Sequence, residues 1–378
     1  MSFLNEVLAF FSDLFGNAVQ LDIKQVIMWA IGGVLIYLAI AKDMEPTLLL
    51  PMGFGAILVN LPFSGAVGEE GVLTILFNSG IANELFPLLL FVGIGAMIDF
   101  GPLLSNPKLM LFGAAAQFGI FFTFSLASIF FDIKDAASIG IIGAADGPTS
   151  IFVANHLGSN YLPAIMVAAY SYMALVPIVQ PPVIKLITTK RERLIRMPYE
   201  PKEVSKLTRV LFPIVITAIA GLVAPTSVAL VGFLMFGNLI RECGVLGTMS
   251  ETAQDQLANL ITLLLGITIS FSMKAEAFVK WETLMIMAIG LFAFVMDTIG
   301  GVMLAKFMNL FRKEKINPMI GGAGISAFPM SSRVIQKIAM EEDPSNILIM
   351  HSAGSNVSGQ IASVVAGGLI ISLVSQYL

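Results

Sequence analysis

The chain of 378 residues is 57% hydrophobic and only 12% charged, with a formal net charge of −4 and a mean hydropathy of +0.88. A soluble domain of this length would need far more charge on its surface, so most of this surface is expected to face lipid. The single cysteine, Cys243, excludes a disulfide framework and a cysteine-based metal cluster. No basic soluble region suggests nucleic-acid binding.

The first 20 residues carry a helical stripe of apolar side chains among polar ones. Such a stripe predicts a short amphipathic helix lying in the membrane interface. The start is not basic and lacks a small-residue cleavage pattern, which argues against a cleaved signal peptide. The stripe consists of Leu4, Val7, Leu8, Phe11, Leu14 and Phe15.

Twelve apolar segments follow in two sets of six. A membrane span takes about 20 apolar residues, so the sequence predicts an all-α polytopic membrane protein with about ten transmembrane helices. Two Gly/Pro-rich segments, 137–157 and 318–340, are predicted to be broken or re-entrant, with full crossing as the alternative. The other segments lie near 25–42, 46–60, 83–98, 107–131 and 160–188, and then near 205–222, 224–240, 255–278, 281–308 and 345–376.

The two sets have the same order of apolar segments, namely a close pair, a gap, a second close pair, a Gly-rich segment and a long helix. This predicts two inverted repeats, at 21–190 and 205–378, joined by a linker at 191–204, a plan that recurs in transporters and suggests an elevator-type architecture. Eight basic residues between 185 and 209 predict that the linker is cytoplasmic. They are Lys185, Lys190, Arg191, Arg193, Arg196, Lys202, Lys206 and Arg209.

The first Gly-rich segment, GIIGAADGPTSIF (140–152), contains the first candidate site. Gly147 and Pro148 follow Asp146 and must break the helix, which frees backbone carbonyls beside a carboxylate. Thr149 and Ser150 add hydroxyls. Carbonyls, hydroxyls and a carboxylate suit a hard cation, and an intramembrane carboxylate is a functional candidate by default. The alternative is that Asp146 only caps the following half-helix.

Three further stretches place polar residues in apolar surroundings. The second Gly-rich segment, INPMIGGAGISAFPMSSR (316–333), has too many helix breakers for a plain helix. Tyr172 lies in AAYSYMALVPIVQPP (168–182), and Asn356 lies in HSAGSNVSGQIAS (351–363). The last stretch also contains small residues that suit close packing of membrane helices. Asn356 is the residue of this stretch that packing explains least.

Together, the motifs GAADGPTSIF, INPMIGGAGISAFPMSSR and GSNVSGQ (354–360) resemble the β subunit of the sodium-translocating carboxybiotin decarboxylases. That family serves oxaloacetate, glutaconyl-CoA and methylmalonyl-CoA decarboxylase complexes. The resemblance implies a chain that decarboxylates carboxybiotin and couples this reaction to Na⁺ export, consuming a proton. It also implies biotin carried on a partner subunit, a carboxyltransferase subunit, a small single-span membrane subunit, a homo-oligomer, and a place in a bacterial or archaeal inner membrane.

The resemblance also implies roles for residues at the matching positions. Tyr172 is expected to deliver the proton, and Arg333 to hold the carboxylate of carboxybiotin. Two other functions stay open at this point, a stand-alone secondary transporter of the Na⁺/H⁺ or Na⁺/organic-anion kind and a purely structural membrane anchor. The residues implied to bind Na⁺ are Asp146, which is also implied in catalysis, and Asn317, Gly321, Ser326 and Asn356.

Overall fold

The computed structural model describes residues 21–199 and 203–377, so the predicted interfacial helix at 1–20 lies outside the described residues. Every regular element among the described residues is a helix, which confirms the all-α prediction. The α-helices are α1 (Ile23–Lys42), α2 (Pro46–Val59), α3 (Val72–Leu76), α4 (Leu85–Met97), α5 (Gly101–Ser105), α6 (Met110–Ala116), α7 (Phe118–Ala127), α8 (Ile133–Gly140), α9 (Gly147–His156), α10 (Leu162–Ile187), α11 (Lys190–Arg193), α12 (Lys206–Val223), α13 (Val228–Glu242), α14 (Gly247–Thr252), α15 (Ala258–Ile269), α16 (Ala275–Phe278), α17 (Trp281–Phe311), α18 (Met319–Gly322), α19 (Met330–Glu342) and α20 (Ile349–Val374).

Seven helical stretches of the described chain are long and apolar enough to cross a membrane. A pair of helices bent by 60°, Val72–Ile81 with Leu85–Met97, makes eight if it forms one span, and α2 is apolar but shorter. The chain is therefore a multi-pass membrane protein, while the predicted count of ten crossings stays a prediction. The seven are Ile23–Lys42, Pro107–Ala127, Leu162–Ile187, Lys206–Val223, Gly247–Ser272, Trp281–Phe311 and Ile349–Val374.

The chain divides into two compact units, each of which takes segments from both halves of the sequence. The smaller unit comprises the described residues up to Leu85 together with Thr262–Leu284, and the larger comprises Phe86–Ile261 and Met285–Leu378. The linker at 191–204 therefore does not separate the two units. The predicted repeats at 21–190 and 205–378 stay a prediction.

In the smaller unit, α1 and α2 pack closely at two glycines. A Cβ on Gly32 would lie 2.6 Å from the carbonyl oxygen of Gly53, and a Cβ on Gly53 would lie 2.6 Å from that of Gly32. Only hydrogen atoms fit in such a contact. Small residues that let helix backbones approach are the usual means of helix packing in lipid.

Both predicted helix breaks occur in the larger unit. In the first broken segment, residues 133–156, α8 ends at Gly140 and a 3₁₀ turn leads to Ala145, which is left-handed with φ 52°. Pro148 then lies in the first turn of α9. Backbone N–H groups in the first turn have no partner within the helix, so the N–H that proline lacks costs no helical hydrogen bond. In the second broken segment, residues 319–342, α18 is a single turn, and an irregular stretch separates it from α19.

Three ion pairs tie residues 185–196 to the end of α19. They are Lys185 with Glu341 at 2.9 Å, Arg193 with Glu342 at 2.6 Å, and Arg196 with Asp343 at 2.7 Å. The hydrogen bond from Lys185 lowers the pKa of the Glu341 carboxyl below its usual value. Three of the eight basic residues that predict a cytoplasmic linker are thus paired with acids at the end of the second broken segment.

Candidate functional site

Asp146 lies at the break in the first broken segment and is 4% exposed. As the N-cap of α9, it accepts a hydrogen bond from the backbone N–H of Thr149 at 3.3 Å through Oδ1. Its Oδ2 accepts hydrogen bonds from the Thr149 hydroxyl at 2.8 Å, the Ser326 hydroxyl at 3.0 Å and the Ser363 hydroxyl at 2.8 Å. Capping and clustering therefore occur together, so capping alone does not account for this side chain. The four residues Asp146, Thr149, Ser326 and Ser363 are called the Asp146 cluster below.

The cluster joins the two broken segments. The backbone N–H of Ser326 donates to the carbonyl of Ala144 at 3.0 Å, so the irregular stretches contact each other directly. The Ser326 and Ser363 hydroxyls are also 3.0 Å apart. One carboxylate from the first half of the sequence thus meets two hydroxyls from the second half.

Two amides on α20 border the cluster. Asn356 donates through Nδ2 to the carbonyl of Ile325 at 2.7 Å, and Gln360 donates to the carbonyl of Ser326. Asn356, Gln360 and Ser363 are spaced i, i+4 and i+7, so they share one face of the helix. The Asn356 Oδ1 and Gln360 Oε1 atoms are buried and have no hydrogen-bond partner among residues 21–199 and 203–377. Both amides are thus fixed through nitrogen and keep an oxygen free as an acceptor.

The chemistry of this set of atoms suits an alkali cation better than a transition metal. The candidate ligands are a carboxylate, three hydroxyls and two amide oxygens, which are hard donors. Among residues 21–199 and 203–377, no three or more His, Cys, Asp and Glu side chains group into a possible metal site. The oxygen-rich cluster is therefore the candidate cation site.

Tyr170 packs against Gly147, next to the cluster, whereas the predicted site residue is Tyr172. A Cβ on Gly147 would lie 2.4 Å from Cζ of Tyr170, so only glycine fits beside this ring. The Tyr170 hydroxyl is buried and has no hydrogen-bond partner in the described part of the chain. A phenol on one face of α10 therefore reaches the residue next to Asp146.

Tyr172 lies elsewhere on α10. Its hydroxyl donates to the carbonyl of Met287, and its ring lies against Gly290 of α17. It makes no hydrogen bond to the Asp146 cluster. A direct transfer between Tyr172 and the cluster therefore requires a change of side-chain position or an intervening group.

Asn317 is held by the linker. Its Nδ2 donates to the carbonyls of Arg193 at 2.8 Å and Ile195 at 2.9 Å, while its Oδ1 accepts from the N–H of Met319 at 3.1 Å. Both ends of the amide are thus bound to protein backbone. The structure does not bring Asn317 into contact with the Asp146 cluster.

Gly321 has a packing role. A Cβ on this residue would lie 2.1 Å from the carbonyl oxygen of Gly301, so α18 and α17 touch through their backbones. We expect Gly321→Ala to destabilise the chain by about 1–3 kcal/mol through overpacking. The measurement is the thermal unfolding temperature of the purified chain in detergent, compared with the wild type.

Gly33→Ala is the matched control for that substitution. Gly33 lies in the interior of α1, and no heavy atom lies within 4 Å of the added carbon. Replacing a helical glycine with alanine in open space gains about 0.5–1 kcal/mol. Equal stability of the two variants would show that the contact between Gly321 and Gly301 does not constrain the fold.

Arg333 is exposed on α19, and its guanidinium makes no hydrogen bond or ion pair with the residues that the structure describes. It borders an open groove of about 460 Å³. A guanidinium in such a groove is accessible to a carboxylate from outside the chain. The other residues that line the groove are Gln336, Lys337, Met340, Glu341 and Ile349.

The set of predicted site residues leaves out three residues that the structure places at or beside the cluster, namely Ser363, Gln360 and Tyr170. The first two lie in the polar stretch around Asn356, and their spacing from Asn356 on a helix could have identified them. It also left out Asp297, a buried carboxylate in the middle of α17. The rule that selected Asp146, a lone carboxylate in an apolar run, applies equally to Asp297.

Comparison with known proteins gives matches along nearly the whole chain. Residues 24–374 match the family described as "Na+-transporting oxaloacetate decarboxylase beta subunit". The chain is 48% identical to the methylmalonyl-CoA decarboxylase subunit beta of Propionigenium modestum, over 93% of this chain and 95% of that one. It is 47% identical to the glutaconyl-CoA decarboxylase subunit beta of Acidaminococcus fermentans, over 92% of each chain. It is 41% identical to the oxaloacetate decarboxylase beta chain of Klebsiella pneumoniae, over 94% of this chain and 96% of that one.

Proposed function

Because the chain belongs to the family of Na⁺-transporting oxaloacetate decarboxylase β subunits, we propose that it is the membrane subunit of a biotin-dependent decarboxylase sodium pump. It decarboxylates carboxybiotin, exports Na⁺ and consumes a proton. The observation that carries the proposal is the Asp146 cluster. A purely structural anchor has no need of a buried carboxylate with three hydroxyls at the contact of two broken segments.

In this proposal, the Asp146 cluster binds the transported Na⁺. Asn356, which borders Ser326, supplies a further oxygen. The resemblance also assigned Asn317 and Gly321 to Na⁺ binding. Their contacts support an indirect role instead, in which Asn317 holds the linker and Gly321 lets α18 approach α17. Both residues then position the second broken segment, which carries Ser326.

The groove beside Arg333 is the proposed entry point for carboxybiotin. Biotin is carried by a partner subunit, so its carboxylated ring must approach from outside this chain. Arg333 and Lys337 lie one turn apart on α19 and give the groove two cations for one carboxylate. Binding there places the carboxyl group beside α19, in the same broken segment whose Ser326, seven residues before Arg333, contacts Asp146.

The complex of this proposal contains a biotin-carrier subunit, a carboxyltransferase subunit and a small single-span membrane subunit. The chain itself assembles as a homo-oligomer in the inner membrane of a bacterium or archaeon. The carboxyltransferase selects the acid or acyl-CoA. The decarboxylases named for the relatives therefore give the substrates to test, which are oxaloacetate, glutaconyl-CoA and methylmalonyl-CoA.

The test is Na⁺ accumulation in proteoliposomes that contain the purified complex. We expect accumulation when one of the three substrates is supplied, and we expect it to persist when a protonophore removes any pH gradient. A stand-alone Na⁺/H⁺ carrier would behave in the opposite way. Na⁺ uptake driven only by an imposed pH gradient, with no effect of any substrate, would replace the pump with that carrier.

A further inference from the structure

A second carboxylate is buried in the membrane helix α17, outside the Asp146 cluster. Asp297 is 1% exposed and forms no ion pair within the described residues. Its Oδ1 accepts a hydrogen bond at 3.1 Å from the backbone N–H of Ile120, near the start of α7. Its Oδ2 is buried, and no described residue forms a hydrogen bond with it. The two oxygens therefore differ, since one is anchored and the other is free.

The free oxygen faces the first broken segment. A Cβ on Gly143 would lie 3.0 Å from Oδ2 of Asp297, and a Cβ on Gly119 would lie 2.2 Å from its Oδ1. Because Gly119 and Gly143 have no side chain, the backbones of α7 and of the first broken segment both lie against the Asp297 carboxylate. Gly143 is three residues before Asp146, so a change at Asp297 acts on the same irregular turn that positions the Asp146 cluster.

We propose that Asp297 is a second intramembrane cation-binding group, one that takes up a proton at Oδ2. An ionised carboxylate without a counter-charge is costly in a membrane interior, and protonation removes that charge. The recorded contacts of Asp297 offer backbone N–H groups and glycine carbons, which can hold a carboxyl group but cannot coordinate Na⁺. Oδ1 keeps its hydrogen bond in both protonation states, while Oδ2 gains or loses the proton.

Among the described residues, the groups that pack against Asp297 carry no charge. From α7 and from the first broken segment they are Gly119, Ile120 and Gly143, none of which titrates. The titratable side chain that packs on the same face of α17 is Tyr172, at Gly290. Gly290 and Asp297 are two turns apart, about 10 Å along the helix axis.

The use of this proton rests on the proposed function. When carboxybiotin is decarboxylated, its N–C bond breaks, CO₂ leaves and the ring nitrogen takes a proton. Asp297 stores that proton, and Tyr172 of α10, which packs against the same face of α17 at Gly290, passes it on. Asp146 is then free to bind Na⁺ alone, and the two cations use separate carboxylates joined by one broken segment.

Infrared difference spectroscopy of the purified full-length chain in detergent tests the proposal. As the pH is lowered, we expect the carbonyl band of a protonated carboxylic acid to appear in the wild type and in Asp146→Asn. We expect this band to be absent from Asp297→Asn. Asp135→Asn is the matched control, because Asp135 is buried but accepts three hydrogen bonds from Ser159 and Asn160. This measurement needs no decarboxylation, so its result is independent of the proposed function.

The substitutions separate a proton site from a structural one. Asparagine keeps the oxygen that accepts from Ile120, so a purely structural Asp297 predicts an Asp297→Asn chain with an unchanged protonated-acid band. That outcome would overturn the proposal. If Asp297→Asn does not fold, Asp297→Glu provides the test, because the proposal then expects the band to shift in frequency and an unshifted band counts against it.

Discussion

We expect Asp146→Asn to lower the affinity of the chain for Na⁺ by roughly 10²–10³-fold, and to abolish Na⁺ transport. Removing one partner of a buried charge pair is worth about 3–5 kcal/mol, and 1.4 kcal/mol corresponds to a factor of ten in affinity. The hydroxyls of Thr149, Ser326 and Ser363 remain in the variant, but hydroxyls carry no charge to balance Na⁺. The loss should therefore appear in binding before any catalytic step.

The same variant should still fold and insert. Asparagine is as good an N-cap as aspartate, so α9 keeps its first turn. With the side-chain oxygen at the capping position, the NH₂ group takes the place of Oδ2 and can donate to the hydroxyl oxygens of Ser326 and Ser363, which preserves the contact between the broken segments. The loss of Na⁺ binding should thus occur in a chain with a nearly normal unfolding temperature.

Isothermal titration of the purified complex with NaCl, at constant ionic strength, measures this effect. Asp135→Asn is again the matched control, because it neutralises a buried carboxylate on α8 that has no contact with the cluster. We expect that control to bind Na⁺ normally even if it is less stable. If Asp146→Asn binds Na⁺ within a few-fold of the wild type, the cluster is not the Na⁺ site.

Local sequence was sufficient to predict the two helix breaks. Gly147 and Pro148 cannot continue a helix through Asp146, and this local backbone constraint does not depend on the rest of the fold. The same holds for the glycines and prolines around Ser326. A carboxylate within an apolar membrane segment is a functional candidate by default, so Asp146 could be chosen from the sequence. Asp297 could have been chosen by the same argument.

Partners across the fold could not be derived in this way. Asn317 and Asn356 are both amides in apolar surroundings, and nothing in their local sequence separates them. In the structure, Asn317 binds the carbonyls of Arg193 and Ile195, whereas Asn356 keeps a free oxygen beside Ser326. The difference depends on where the linker and α20 pack. The same applies to Tyr170 and Tyr172, which are two residues apart on α10 and point to different neighbours.

Carboxybiotin breakdown by the purified complex is expected to depend on Na⁺. Moving one charge against 100 mV takes about 2.3 kcal/mol, and in a pump the loss of CO₂ must supply it. Such coupling requires that carboxybiotin is not broken down until Na⁺ is bound. The contact between Ser326 and Asp146 provides a route, because Na⁺ bound at the proposed site would act on the broken segment that carries Arg333. The rate should therefore fall toward zero as Na⁺ is removed.

Tyr172→Phe distinguishes the proton step from the cation step in the same assay. We expect the variant to break down carboxybiotin more slowly at every Na⁺ concentration while its affinity for Na⁺ stays near normal, because the Tyr172 hydroxyl bonds to the carbonyl of Met287 and not to the Asp146 cluster. A phenol can relay a proton without a buried permanent charge. Tyr170→Phe is the comparison, since Tyr170 packs at Gly147 beside Asp146 and its loss should change the affinity for Na⁺ instead. If Tyr172→Phe has the wild-type rate and Tyr170→Phe is the slow variant, proton delivery belongs to Tyr170. If the wild-type rate itself does not change down to trace Na⁺, the chain does not couple the two processes, and a carrier that uses an ion gradient explains it better.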